Sequence, residues 1–130
     1  MDAVVDEHFR AEMAVDIDAI LATYADQVAL DMIGNPDGVL HDKSEVRVFY
    51  NMLFGELSNV HMRSLRRWYG AEHVVDESVV EALAIGKPFG FEGRARPVTF
   101  RLLHIFDFAG GRISRESAWL DLAAFMQQLA

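Results

Sequence analysis

The stretch HIFDFAGGRISRESAWLD, from His104 to Asp121, predicts a β-hairpin whose two arms are joined at a pair of glycines. Apolar residues alternate with other types on both sides of the glycines, which is the period of a half-buried strand. With Gly111 as the left-handed residue of a bulged turn, Ala118 is expected opposite His104, and Glu116 diagonal to it. We therefore expect His104 and Glu116 to face the interior from one side of this hairpin.

Working outward, the residues before the hairpin divide into a helical part and a strand part. Apolar residues recur at helical spacing within 4–13, 17–24 and 46–53, and a short strand, QVALDM, lies at 27–32. From Val60 to Gly86 β-branched and aromatic residues dominate, which indicates another long hairpin. After the last strand, Asp121 precedes LAAF and is expected to cap a short helix. Helices followed by antiparallel strands predict an α+β fold with the helices on one face of a sheet.

Composition limits the classes of function. The chain has 130 residues, and we expect one domain over 1–130. A net charge of −8 argues against a nucleic-acid partner, which needs a basic face. The chain has no cysteine, no apolar run of membrane-spanning length and no signal-peptide pattern, so we expect no membrane association and a cytoplasmic location. The five histidines show no ligand spacing and no phosphate-binding motif is present, so neither a metal site nor a cofactor is predicted.

Four segments of the sequence, which follow one another between residues 16 and 129, resemble segments of a known protein family in the same order. They are DIDAILATYADQVALDM, EVRVFYNMLF, PFGFEGRARPVTFRLLHIF and GGRISRESAWLDLAAFMQQL. The chain resembles the nuclear transport factor 2-like superfamily, and within it the SnoaL-like branch, named for polyketide cyclases. The resemblance implies a cone-shaped, strongly curved mixed sheet, with helices on its concave face enclosing a pocket, and a homodimer joined through the back of the sheet. It implies no particular reaction, because this fold serves isomerases, cyclases, hydrolases and binding proteins.

The residues that carry catalysis in relatives are not kept here. SnoaL-like cyclases and limonene-epoxide-hydrolase-like enzymes place a catalytic Asp in the column of Ala118, which cannot move a proton. Ketosteroid-isomerase-like enzymes place an Asp base at the position of Met32, a Tyr at that of His8 and a protonated Asp at that of His104. Of these positions only His104 could still donate a hydrogen bond to an oxyanion.

Three residues are candidate catalytic groups. His104 beside Glu116 in an aromatic pocket would form a general base oriented by a carboxylate, although a buried His satisfied by a tyrosine or a water is the alternative. Asp31 would be a base of raised pKa if it faces inward, and an ordinary solvated carboxylate if it faces outward. Asp121 is interpreted as a helix cap and not as a catalytic acid.

We expect a pocket for a small, mostly apolar molecule. The expected lining residues are Tyr24, Tyr50, Leu53, Trp68, Phe89, Phe100, Leu102, Phe106, Ala118 and Leu120. On the outer face of the sheet, the apolar side chains of Leu103, Ile105 and Trp119 are expected to be buried against a partner. A second copy of the chain would bury them. The hypotheses are therefore an acid/base enzyme, a non-catalytic ligand-binding homodimer that has lost the family's Asp, and a subunit that accompanies another enzyme.

Overall fold

The computed structural model describes residues 1–130 and has the α+β architecture that the sequence predicts. The helices are α1 (Asp2–Met13), α2 (Ile17–Ala22), α3 (Lys43–Glu56) and α4 (Leu122–Gln128). The strands are β1 (Tyr24–Met32), β2 (Leu57–Tyr69), β3 (His73–Ala84), β4 (Arg96–Ala109) and β5 (Arg112–Leu120), and a single 3-10 turn covers Pro88–Gly90. None of the helices combines the length and apolar character that crossing a bilayer requires.

The five strands form one open, mixed sheet in the order β1-β5-β4-β3-β2. β2 to β5 are antiparallel neighbours that follow one another along the chain, whereas β1 pairs in parallel with β5. The parallel pair therefore brings the early strand β1 next to the last strand of the sheet, so residues from both ends of the sequence share one face.

The last hairpin has the predicted register. Gly110 and Gly111 both have positive φ, at 59° and 77°, which glycine adopts without steric cost. His104 is paired with Ala118 and Phe106 with Glu116. All four of these side chains are buried, so the alternation correctly identifies the inner face of the hairpin.

Aspartates begin three of the four helices. The side chains of Asp16, Asp42 and Asp121 accept hydrogen bonds from backbone N–H groups three residues ahead, at 3.0, 2.9 and 3.1 Å. Each carboxylate satisfies one of the free donors of a helix N-terminus. The prediction that Asp121 caps the last helix is confirmed.

Arg67 attaches α1 to the sheet. Its guanidinium lies 2.8 Å from the buried Asp76 on β3, and 2.9 and 2.6 Å from Asp2 and Asp6 on α1. Three carboxylates around one arginine fix how the helix lies over the sheet, because the planar guanidinium donates in fixed directions. This anchoring directs the opposite side of α1, which carries His8, into the core.

Candidate functional site: a buried charged cluster beside an apolar cavity

A charged cluster lies where α1 meets β5. His8 and Glu12 are four residues apart on α1 and share one face of the helix. Nε2 of His8 lies 2.9 Å from Oε1 of Glu12 and 3.0 Å from Oε1 of Glu116 on β5. The His8 side chain is fully buried and that of Glu116 is 4% exposed, whereas that of Glu12 is 12% exposed. One imidazole nitrogen thus faces two carboxylates almost entirely out of water.

The hydrogen bonds of Thr23 define the protonation of His8. The Thr23 hydroxyl donates to the carbonyl of Ile20 at 2.6 Å, so its oxygen accepts from Nδ1–H of His8 at 2.9 Å. Because Nε2 faces two carboxylate oxygens, it carries a proton as well. His8 is therefore a buried imidazolium.

Two tyrosines complete the cluster. The Tyr24 hydroxyl donates to Oε1 of Glu116 at 2.7 Å, and the Tyr50 hydroxyl donates to Oε1 of Glu12 at 2.8 Å. The two hydroxyl oxygens are 3.3 Å apart. Burial, followed by the charge of Glu116, raises the pKa of both tyrosines well above the usual value, so both remain neutral donors.

Opposite charges keep both His8 and Glu116 ionised despite their burial. Burial alone would lower the pKa of His8, but Glu116 and Glu12 outweigh it and raise that pKa to about 10. Burial would likewise raise the pKa of Glu116, but the charge and hydrogen bond of His8 lower it to about 2. His8 and Glu116 therefore form an ion pair at pH values between these limits.

His104 lies at the edge of this network and is neutral. Its Nε2 is 3.5 Å from Oε2 of Glu116, which is too long for a strong hydrogen bond, and its Nδ1 has no partner. The ring stacks on Phe106, with centroids 5.1 Å apart and planes at 14°, and packs against Phe9 at 5.2 Å. Burial lowers the pKa of His104 more than the charge of Glu116 raises it.

A separate cavity of about 640 Å³ opens at the end of the sheet where β5 ends. Its lining residues are Met32, Ile33, Gly34, Asn35, Pro36, Phe49, Met52, Leu53, Glu56, Lys87, Phe89, Gly90, Trp119, Leu120 and Leu122. Glu56 and Lys87 are the only charged groups among them, and burial raises the pKa of Glu56. Leu120 and Glu116 are two inward positions apart on β5, so their backbones are about 13 Å apart. The cluster is therefore separate from this part of the cavity wall, and none of its residues lines the cavity.

The structure brings two of the three predicted catalytic residues together. His104 and Glu116 are neighbours on the inner face, as their spacing predicts. Asp31 is not with them, and the expectation that it could act as an inward base is wrong. Leu30 pairs with Glu116 on the inner face, so Asp31 points to the outer face, where it accepts from Arg115 at 2.9 Å.

The predicted pocket residues separate into four groups. Leu53, Phe89 and Leu120 line the cavity, and Tyr24 and Tyr50 belong to the cluster. Phe100, Leu102, Phe106 and Ala118 are buried in the core without reaching the cavity. Trp68 was expected to face inward, and this is wrong: the ring is 46% exposed, under the guanidinium of Arg66. A register shift between Ser64 and Arg66 reverses the alternation of β2, so that Arg67 faces inward and Trp68 outward.

Sequence reasoning missed His8 and Glu12 as parts of the site. The signal that could have found them is HFRAE at 8–12, a His and a Glu one helical turn apart on an apolar face. Their ligand-type atoms and those of Glu116 all lie within 4.8 Å of one another, so these three are also the residues that could hold a metal ion.

The outer face of the last hairpin is less apolar in the structure than its sequence suggests. Leu103 and Ile105 are half-buried, while Trp119 is 40% exposed and also lies at the rim of the cavity. Arg115, bound to Asp31, covers part of the same face.

Comparison with known proteins identifies similar chains. The sequence profile of the SnoaL-like domain matches residues 5–116. No curated protein is significantly similar to the chain in sequence.

Solved structures are similar over nearly the whole chain. A candidate polyketide cyclase from Xanthomonas campestris pv. campestris has a TM-score of 0.88 at 20% identity, with 99% of this chain and 96% of that chain covered. A candidate SnoaL-like polyketide cyclase from Jannaschia sp. CCS1 has a TM-score of 0.86 at 15% identity, with coverage of 98% and 89%. An NTF2-like protein of unknown function from Burkholderia pseudomallei K96243 has a TM-score of 0.83 at 18% identity, with coverage of 98% and 95%. At these identities the similarity shows the fold alone.

Proposed function

The chain belongs to the SnoaL-like domain family, and from this membership and the cavity we propose that it binds a small, mostly apolar molecule. The observation that carries the proposal is the cavity of about 640 Å³, of whose fifteen lining residues nine are hydrophobic. Sites for small organic molecules are typically of this size and apolar character, with a few polar groups that fix orientation.

The lining favours a flat ligand with one polar end. Phe49, Phe89 and Trp119 offer aromatic surface, against which a planar ring would pack. Lys87 and Glu56 are the charged groups of the lining. A ligand with an acidic or hydrogen-bond-accepting substituent would place it near Lys87, and Glu56 would receive a donor.

A second candidate function is acid/base catalysis on the bound molecule. The unpartnered Nδ1 of the buried His104 favours it, because a buried polar atom without a partner is costly and rare, and a catalytic role is one explanation for it. Ala118 has no proton to transfer, so His104 would be the acid or base, with Glu116 orienting its ring. Substrate would have to displace the packing between the cavity and His104 to reach Nδ1.

We also propose that a second copy of the chain covers the outer sheet face. Leu103, Ile105 and Trp119 supply its apolar part, and the ion pair between Arg115 and Asp31 supplies a polar margin. This combination of an apolar centre and a polar rim is typical of protein interfaces.

The binding proposal can be tested through the two tryptophans. Trp119 lines the cavity and Trp68 does not, so a Trp68→Phe variant reports on the cavity and a Trp119→Phe variant is its control. Titration with 1-anilinonaphthalene-8-sulfonate should quench the Trp119 emission more strongly than the Trp68 emission, because only Trp119 lines the cavity. An equal response of both tryptophans, or none, would contradict binding in the cavity.

Two methionines of similar exposure provide a matched pair of variants. Met52 lines the cavity and is 54% exposed, whereas Met126 is 47% exposed and lies outside the lining. Met52→Ala should weaken binding of the dye and Met126→Ala should not. Once a natural ligand is known, recovering it unchanged after incubation would favour binding alone. Turnover that His104→Gln abolishes would favour the enzyme.

A further inference from the structure

We propose that His8, Glu12 and Glu116 form a binding site for one divalent transition-metal ion. The site lies in the cluster and not in the cavity, so it does not depend on the proposed function. The ligand atoms would be Nε2 of His8 and Oε1 of each glutamate, which are the atoms that already converge.

The distances between these atoms suit an ion. Two ligands that are each about 2.1 Å from a metal are about 3.0 Å apart at the right angles of an octahedral site and about 3.4 Å apart at tetrahedral angles. The two distances from Nε2 of His8 to the glutamate oxygens are 2.9 and 3.0 Å. An ion could replace the Nε2 proton with little movement of the three side chains.

The charge of the cluster also favours a dication. The cluster sets one imidazole against the two carboxylates of Glu12 and Glu116, so His8 can balance only one of them. A divalent ion with a neutral imidazole would balance both carboxylates. Buried charges are retained where they are paired or bind metals.

The surroundings of His8 resemble the outer shell of metal sites. Metal-binding histidines usually donate the other ring N–H to a fixed acceptor, which sets the tautomer and the ring orientation. Here Nδ1–H of His8 donates to Thr23, whose hydroxyl is held by the carbonyl of Ile20. Tyr24 and Tyr50 in turn hold the two carboxylates by hydrogen bonds.

His104 supplies a second imidazole beside these ligands. Its side chain is buried, and its Nε2, on the side of the ring that faces Glu116, lies 3.5 Å from Oε2, which is too long for a strong hydrogen bond. An ion on the other oxygen of Glu116 would shift that carboxylate and bring a second imidazole within reach of the site. One or two imidazoles with carboxylates suit Zn²⁺, Co²⁺ or Mn²⁺ better than Mg²⁺ or Ca²⁺, which prefer oxygen alone. Glu12, the most exposed member, provides the route of entry.

Binding of the ion should release a defined number of protons per chain. The ion takes the place of the Nε2 proton of His8, and that proton passes to the buffer. Protein dialysed against EDTA should bind one Zn²⁺ or Co²⁺ per chain, with release of about one proton at pH 7.5. Titration calorimetry in buffers of different ionisation enthalpy measures both numbers. Release of far less than one proton would contradict displacement of the Nε2 proton of His8.

Variants can distinguish ion binding at this site from ion binding at the protein surface. Glu12→Gln keeps the size of the side chain and should weaken binding at least tenfold, whereas Glu7→Gln on the exposed side of the same helix should not. His41, His61 and His73 are exposed, and replacing all three by Gln should leave the affinity unchanged.

The His8 ring itself gives a readout that does not depend on a variant folding. In ¹⁵N-histidine spectra of the wild-type protein, Nε2 of His8 should lose its proton when Zn²⁺ is added, while Nδ1 keeps its own. The proposal is overturned if no ion binds, if the triple histidine variant abolishes binding, or if Nε2 stays protonated with the ion bound.

Discussion

Nε2 of His8 lies 3.0 Å from Oε1 of Glu116, so a single charged hydrogen bond joins the first helix to the last strand through the core. Both groups have left water, and each remains ionised because the other is there. Removing one partner of a buried pair leaves the other charge uncompensated, which costs far more than an exposed pair would. The stability of the protein should therefore respond strongly to changes at these positions.

Replacing His8 tests this dependence directly. His8→Gln leaves two buried carboxylates with no cation beside them, and the free energy of unfolding should fall by about 3–5 kcal/mol. Urea unfolding followed by circular dichroism measures the change. The double variant His8→Gln with Glu12→Gln should recover part of the loss. A loss below about 1 kcal/mol would contradict a buried imidazolium.

In the presence of EDTA, the free energy of unfolding should fall both at alkaline pH and at acidic pH. The pKa of His8 is raised from 6.5 to about 10, so its contribution is complete below pH 6.5 and is lost as the pH rises towards 10. The pKa of Glu116 is lowered from 4.5 to about 2, so its contribution is complete above pH 4.5 and is lost as the pH falls towards 2. The free energy of unfolding should be highest between about pH 4.5 and 6.5.

Other ionisable side chains lie around His8, so a variant is needed to assign the alkaline fall in stability to His8. They are Glu12, Tyr24, Tyr50, Glu116 and, beyond Glu116, His104. In Glu116→Gln the fall in stability between pH 6.5 and 10 should be shallower, because His8 then has one carboxylate partner instead of two. Parallel curves for the variant and the wild type would assign the alkaline fall in stability to another group.

Because Asp121 is a helix cap, replacing it should change the stability of the protein and not its ligand binding. Its side chain caps α4 through Ala124 N–H, so Asp121→Ala should lower the free energy of unfolding by about 1 kcal/mol. Asp121→Asn keeps an acceptor oxygen and should be close to wild type. Urea unfolding of the three proteins compares them. A loss of ligand binding without a loss of stability would favour a functional role for this carboxylate.

If two copies of the chain pair through the outer sheet face, a charge placed in that face should lower the molecular mass of the protein in solution. Ile105→Arg places a charge in the apolar centre of the outer face and should give a monomer where the wild type is a dimer. Light scattering after size-exclusion chromatography measures the mass. Val48→Arg on α3, where the side chain is 69% exposed, is the control and should leave the dimer intact. A monomeric wild type would contradict the interface.

The fold and part of the site could be predicted because their signals are local. The glycine pair and the alternation around it determine the register of the last hairpin, and hence that His104 faces Ala118. The capping by Asp121 depends only on the residues that follow it. Each of these features is encoded within a few neighbouring positions.

The rest depends on contacts between distant segments. The meeting of His8 with Glu116 requires the parallel pairing of β1 with β5 and the placement of α1 over the sheet by Arg67. The faces of Asp31 and Trp68 depend on how their strands pair, and a one-residue shift of register reverses a whole strand. Nothing in the local pattern reveals such a shift.

The strand order β1-β5-β4-β3-β2 has a consequence for the time course of folding. During synthesis, the hairpins from β2 to β5 can pair in turn as they emerge, but β1 is made first and finds its neighbour last. Until β5 is complete, β1 lacks the strand with which it pairs, and His8 has no contact with Glu116. Contacts this far apart in the chain slow folding, and we expect closure of the core by α1 and β1 to be the late, rate-limiting step.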